Sequence, residues 1–192
     1  MKKSYFVHKT AILDNGADVG AGTQIWHFSH IASGARIGKN CKIGQNVYIA
    51  SGVHIGDNVK IQNNVSIYEG VILEDNVFCG PSCVFTNIIN PRCLYPRNSK
   101  AFYRPTIVKN GSSIGANATI VCGVTLESNS FVGAGSVVTS NIPAFGLVYG
   151  NPARLKGWIC SCGEKLEFRG KSVKCKICSR KFIKEKNEVK VV

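Results

Sequence analysis

From Val7 onward an aliphatic or similarly apolar side chain returns at every sixth position: Leu13, Val19, Ile25, Ile31, Ile37, Ile43, Ile49, Ile55, Ile61, Ile67, Leu73, Cys79 and Phe85. After a gap the series resumes in a new register at Val108 and runs through Ile114, Ile120, Leu126, Val132 and Val138. Neither a helix nor an ordinary strand has a period of six. Such an internal repeat belongs to a chain that winds, each turn burying the apolar row of the turns beside it.

Two further columns fix the shape of the turn. Four places after each apolar residue comes a small or β-branched side chain, as in Ala35, Cys41, Val47, Val53, Val59 and Val65, so two positions per hexad face inward. Three places after it, from Gly16 to Ser82 and from Gly111 to Asn141, Gly or Asn fills 16 of 18 places, Phe28 and Ser82 being the exceptions. Gly and Asn tolerate positive φ, so each short strand is expected to end at a tight corner. Three sides then close a triangular coil of 18 residues, and coils stack as parallel strands roughly 4.8 Å apart. The expected fold is all-β, a parallel β-helix over residues 1–156.

Residues 18 apart stack in such a coil. His27, Gln45 and Asn63 therefore form one outward ladder and His30, Tyr48 and Ser66 another, and Asn87 falls over Glu69. Between Ile88 and Thr106 the repeat fails, and the segment carries Pro91, Pro96 and Pro105 with Arg92, Arg97, Lys100 and Arg104 among Tyr95, Phe102 and Tyr103. We expect a protruding loop over 87–107. A long loop on a rigid scaffold commonly carries function, and arginines there suit a pyrophosphate or carboxylate. A plain loop tether is the alternative use of Asn87 and Glu69.

Nine cysteines fall into two sets. Cys41, Cys79, Cys83 and Cys122 lie on or beside the inward lattice and read as core filler. Cys160 and Cys162, then Cys175 and Cys178, bracket 12 residues in which Leu166, Phe168 and Val173 suggest a hairpin. Four such thiolates point to a structural tetrahedral Zn2+ site, a small zinc ribbon over 157–192, although the first pair is one residue short of the usual spacing.

The formal net charge is +13, with 10 Lys and Arg against 4 Asp and Glu in residues 157–192 alone. That field suits polyanions, either nucleic acid or nucleotide-sugars and coenzyme A. Nucleic-acid binding by the basic ribbon is the different-class alternative, opposed by the lack of a basic stripe with several interleaved aromatics, Phe168 and Phe182 being the ones that follow Trp158. Lys2 and Lys3 are followed by no apolar core of a signal peptide, and nowhere do about 18 apolar residues run together, so a cytoplasmic protein without a membrane span is expected.

Several stretches carry a family likeness: Asn63 to Gly70, Gly80-Pro81-Ser82, Phe85-Thr86-Asn87 with Asn90-Pro91-Arg92, Ser113 to Gly123, and Gly150 to Arg154. Over residues 5 to about 158 the chain resembles the nucleotide-sugar N-acetyltransferases of the hexapeptide superfamily. The resemblance implies a left-handed coil, a homotrimer, and acetyl-CoA lying between neighbouring subunits. It implies acetylation of the 3-amino group of a UDP-linked sugar, UDP-2-acetamido-3-amino-2,3-dideoxy-glucuronate, for surface polysaccharide. A dTDP-linked 3-amino-6-deoxyhexose or a UDP-linked diamino sugar is the alternative substrate. Asn87 and Glu69 are implied as catalytic residues, with Asn63, Tyr68, Arg92, Arg104 and His27 binding the sugar. Gly115, Gly133, Ala134, Gly135 and Arg154 are implied to bind the coenzyme. A carbonic anhydrase on the same fold requires a histidine triad, but His30 and His54 are one coil plus one side apart and do not stack.

Overall fold

The computed structural model describes residues 4–97, 99–186 and 188–192, so Lys2 and Lys3 of the basic start lie outside it. Short strands of mostly two residues build three parallel faces with an offset of 18 in most pairs, as in Ile25 on Ile43, Ile31 on Ile49 and Ile37 on Ile55. The first face has eight parallel strands from Phe6–Val7 to Gly146–Tyr149; the second has seven, from Ile12–Leu13 to Val137–Val138. The third has six, from Asp18–Val19 to Thr125–Leu126. No α-helix occurs among the described residues.

The inward rows explain why the coil holds. Ile25, Ile31, Ile43, Ile49 and Ile67 are fully buried, and so are Ala35, Cys41, Val53, Val59 and Val65 of the second inward column. Each such isoleucine contributes about 2 kcal/mol by leaving water. Cys79, Cys83 and Cys122 are buried as well. A hydrogen bond with Cys83, then burial, pushes the Cys79 thiol far up, which removes it as a nucleophile.

Of the 18 corner residues, 17 have positive φ, Phe28 at 57° and Ser82 at 56° included. Asn141 departs from the expectation. Here the stride of the coil shortens from 18 to 16, Leu126 bridging Ile142 and Phe131 pairing with Leu147, and the Asn141 side chain accepts the Thr125 N–H at 2.8 Å.

The loop enters and leaves without disturbing the register. Phe78 pairs with Ser113, an offset of 35 rather than 18, so 17 extra residues are spliced into one coil. Arg104 N–H donates to Asn87 O and Thr106 N–H to Gly70 O, both at 3.0 Å, which closes the base of the loop.

The expected hairpin between the cysteine pairs is corrected. Lys165–Leu166 pairs backward with Arg154–Ile159, and Ser172–Lys174 pairs forward with Lys181–Glu185, in a different sheet. Each cysteine pair thus sits at the turn of its own hairpin, because the turn, and not the strand between, brings two sulfurs together.

Candidate active site

The corners sort the expected site residues onto two edges of the prism. Along the edge between the first and second faces run Trp26-His27-Phe28, Gly44-Gln45-Asn46, Gln62-Asn63-Asn64, Gly115-Ala116-Asn117 and Gly133-Ala134-Gly135. Along the edge between the second and third faces lie Tyr68-Glu69-Gly70, Asn87, the loop and Gly123. His27 and Asn63, with the coenzyme candidates, are therefore separated from Asn87 and Glu69 by the whole second face, roughly 15–20 Å of strand.

On the first of these edges a groove of about 310 Å3 is lined by Trp26, His27, Lys42, Gln45 and Asn63. The Asn63 side chain is held by the Gln45 N–H at 2.9 Å, and the His27 ring lies 3.6 Å, centroid to centroid, from that of His8. His8 Nδ1 accepts the Thr10 N–H at 3.3 Å, and the ring's pKa is lowered by burial and then by the neighbouring His27 and Lys9.

Farther along, a Cβ on Gly115 would lie 2.5 Å from Ala134 N, so this position has no room for a side chain. Gly133 is equally confined by the Tyr149 side chain, whereas Gly135, with φ 68°, faces open space. Arg154 pairs across from Tyr149, and its Nη1 donates to Ala153 O at 3.1 Å. At Gly135 the surface is open, leaving room for an extended coenzyme arm.

On the other edge Glu69 is held by Lys100, whose Nζ lies 2.8 Å from Oε1, and the hydrogen bond raises the Lys100 pKa. Asn87 O accepts the Arg104 N–H at the loop base, and Ser66 pairs with Val84 at the strand just before it, an offset of 18 that is also the separation of Glu69 and Asn87. Tyr68 is exposed and packs its ring edge-on against Tyr48 at 6.2 Å. Arg92 and Arg97 line one loop cavity of about 470 Å3; Arg97 and Arg104 line a second of about 170 Å3. Arg97 also lies 5.8 Å over the Phe102 ring. Sequence reasoning placed Arg97 and Lys100 in the loop but gave neither a role at the site. Without a repeat in this segment, nothing in its spacing says that one reaches both cavities and the other reaches Glu69.

His30 accepts no place in a triad. It lies on the second face, 3.2 Å from Asp14, while His54 lies on the third face. The four tail sulfurs do converge. Cys160 and Cys178 are 3.4 Å apart, Cys162 and Cys175 3.5 Å, and all four lie within 4.8 Å of one another. A tetrahedron with metal–sulfur bonds of about 2.3 Å has edges of about 3.8 Å, so the donor set and spacing fit a soft divalent cation. Backbone N–H groups of Cys178 and Ile177 pull the Cys175 thiol down to about 6, while burial pushes Cys160 up to about 12. The tail's expected aromatics are not stacking platforms: Phe182 is fully buried and Phe168 half-buried. No helix among the described residues is long and apolar enough to cross a membrane.

Comparison with known proteins agrees with this architecture. The family described as "Bacterial transferase hexapeptide (six repeats)" matches residues 16–51, 52–87 and 105–140, leaving out the loop, and "Hexapeptide repeat of succinyl-transferase" matches 34–69. A dTDP-3-amino-3,6-dideoxy-alpha-D-galactopyranose 3-N-acetyltransferase of Aneurinibacillus thermoaerophilus is 51% identical over 77 residues, 40% of this chain and 40% of that one. The match therefore spans well under half of that relative. A hexapeptide-repeat acetyltransferase of Vibrio cholerae, solved with acetyl coenzyme A, is 28% identical with a TM-score of 0.50, covering 74% of this chain and 70% of its own. An N-acyltransferase of Bacillus cereus, solved with dTDP and coenzyme A, shares the fold at 17% identity and a TM-score of 0.53, covering 79% of each chain. With its three matched blocks covering more than half of its length, the chain belongs to the bacterial transferase hexapeptide family, built on a left-handed β-helix.

Proposed function

We propose that the protein is an acetyl-CoA-dependent N-acetyltransferase acting on the 3-amino group of a nucleotide-linked amino sugar, in the making of surface polysaccharide precursors in the cytoplasm. The observation that carries this reading is the local identity of 51% to a 3-amino-sugar N-acetyltransferase. The glycine edge and the cationic loop supply surfaces of the chemistry required. The working unit is a homotrimer. Two edges 15–20 Å apart on one prism meet at one substrate only when a second copy brings its own edge alongside. Gly115, Gly133, Ala134, Gly135 and Arg154 of one copy then hold the coenzyme against Asn87 and Glu69 of the next, with His27, Asn63 and Tyr68 lining the cleft.

In the reaction the neutral sugar amine attacks the thioester carbonyl carbon. The C–N bond forms, the carbonyl oxygen gathers charge, and the C–S bond then breaks as the amine proton passes to the departing sulfur. Asn87 orients the amine and thioester, and such positioning supplies most of the acceleration. Glu69 is the second polar contact, its carboxylate turning from the Lys100 ammonium to accept a hydrogen bond from the sugar's amine. Arg92 and Arg104 bind the anionic part of the substrate. If that anion is a C6 carboxylate, the substrate is UDP-2-acetamido-3-amino-2,3-dideoxy-glucuronate. The Aneurinibacillus relative favours the second reading, a dTDP-linked 3-amino-6-deoxyhexose, in which the arginines meet the diphosphate. In the tail, Cys160, Cys162, Cys175 and Cys178 hold a structural Zn2+.

A thiol-release assay with acetyl-CoA against a panel of UDP- and dTDP-linked amino sugars tests the reading. Turnover is expected for a 3-amino sugar, and acetylation of no amine in the panel refutes it.

A further inference from the structure

The two ends of the β-helix are unlike. In the first coil the inward Val7 and Leu13 are only half-buried; in the last, Leu126, Val138 and Val148 are 0%, 1% and 4% exposed. A stacked coil leaves an apolar disc and unpaired strand edges at each end, and repeat architectures cover such ends with a dedicated unit. At the far end Ile142 and Ala153 are buried with the core of the coil, and the tail covers the open edge of the first face. Arg154–Ile159 and Lys165–Leu166 add to the first face as antiparallel strands beyond Gly146–Tyr149, so the tail continues the sheet it protects.

Phe145 joins the two parts. Its N–H donates to Ser128 O of the coil at 3.1 Å, and its carbonyl accepts the Ile159 N–H at 2.8 Å. Its ring belongs to the tail's own core with Trp158, Leu166, Phe182 and Val189, meeting Phe182 edge-on at 5.3 Å. Cys160 and Cys175 are buried members of the same core. Two of the four sulfurs are thus wall to the cap and ligand to the cluster at once. A core this small does not order 36 residues unaided, and metal binding supplies the missing folding energy in domains of this size.

We propose that metal binding at the four-cysteine cluster locks the tail as the end cap of the β-helix, and that loading thereby orders the last coil, including the Gly146–Tyr149 strand that flanks Gly133. The proposal rests on the reading of Cys160, Cys162, Cys175 and Cys178 as metal ligands. Cys160 directly follows the Arg154–Ile159 strand, which pairs with Gly146–Tyr149, and that strand pairs in turn with Phe131–Val132. The metal is therefore one strand removed from the strand bordering the glycine edge.

The test compares the full chain loaded with Zn2+, the same chain stripped by a chelator under reducing conditions, and the Cys162→Ser variant. Metal content and amide hydrogen exchange are read by mass spectrometry. One metal per loaded chain is expected. Its removal should speed exchange across 157–192, and by about tenfold across 142–149, with 43–85 unchanged. Reloading should restore both segments in the stripped chain. If no metal is retained and the tail stays protected without it, the ligand reading fails and the lock with it. If metal binds and its loss frees the tail but leaves 142–149 protected, the cap proposal alone fails. Loss of protection at 43–85 also overturns it, since a cap acts on the coil it covers.

Discussion

Ser82→Asn tests the account of the corners by repairing one of the two that break the rule. Ser82 is held at φ 56°. The left-handed region costs an ordinary L-residue about 1–2 kcal/mol, and Asn a good part less, so relief of about 1 kcal/mol is expected from the backbone alone. The column offers more. Asn46 Nδ2 donates to Asn64 Oδ1 at 3.0 Å along this edge, and Asn58 donates to Asn76 at 2.8 Å on another, so corner carboxamides link coil to coil. Ser82 interrupts the first ladder between Asn64 and Asn117. A carboxamide there gains one bond on each side, each contributing roughly 0.5 kcal/mol at an exposed site. The sum is a stabilisation of about 2 kcal/mol. For a chain of this length that raises Tm by about 4–8 °C, read by scanning calorimetry at fixed protein concentration. An unchanged or lowered Tm refutes the ladder account and the strain assigned to this corner.

Asn87→Ala should reduce turnover by about a hundredfold, with oligomeric state unchanged by light scattering; near-normal turnover removes Asn87 from the mechanism. Gly115→Ala forces a methyl to within 2.5 Å of the Ala134 backbone and should destabilise the fold by about 2 kcal/mol in urea, with weaker coenzyme binding by calorimetry. His8 has a pKa lowered from 6.5, so its contribution to stability is full above 6.5 and is lost as pH falls through the lower folded-state value. In His27→Gln the His8 ring should titrate at higher pH by NMR, and an unmoved midpoint denies the contact between the two rings.

The coil was legible in the sequence because its physics repeats: an inward apolar residue every six places and a corner three places later are each dictated by local conformation. Asn141 escaped that reading because the coil there is two residues short, a change of stride that the type of a single corner residue does not announce. The ladders were legible too, since 18 is a fixed stride. What the stride left unread is that the ladder of His27 and Asn63 and the pair of Glu69 and Asn87 stand on different edges. The loop was recognised by failure of the pattern, which marks a place but says nothing of partners; the hold of Lys100 on Glu69 and the double contact of Arg97 arise from chain paths that no spacing encodes. In the tail the cysteine spacing announced the cluster, whereas the role of Phe145 as the shared wall depends on how two separate hairpins fold over the last coil.

The splice at residues 87–106 has a consequence for how such a protein changes. Departure and return occur at neighbouring hydrogen bonds, Asn87 to Arg104 and Gly70 to Thr106, and the pairing on either side proceeds as if the 17 residues were absent. The insert is a cassette: its length and composition are free variables as long as its two ends meet at that seam. On the proposed function, in which the loop holds the sugar, exchanging the cassette between relatives should transfer the sugar recognised while leaving the spindle that carries it unaltered.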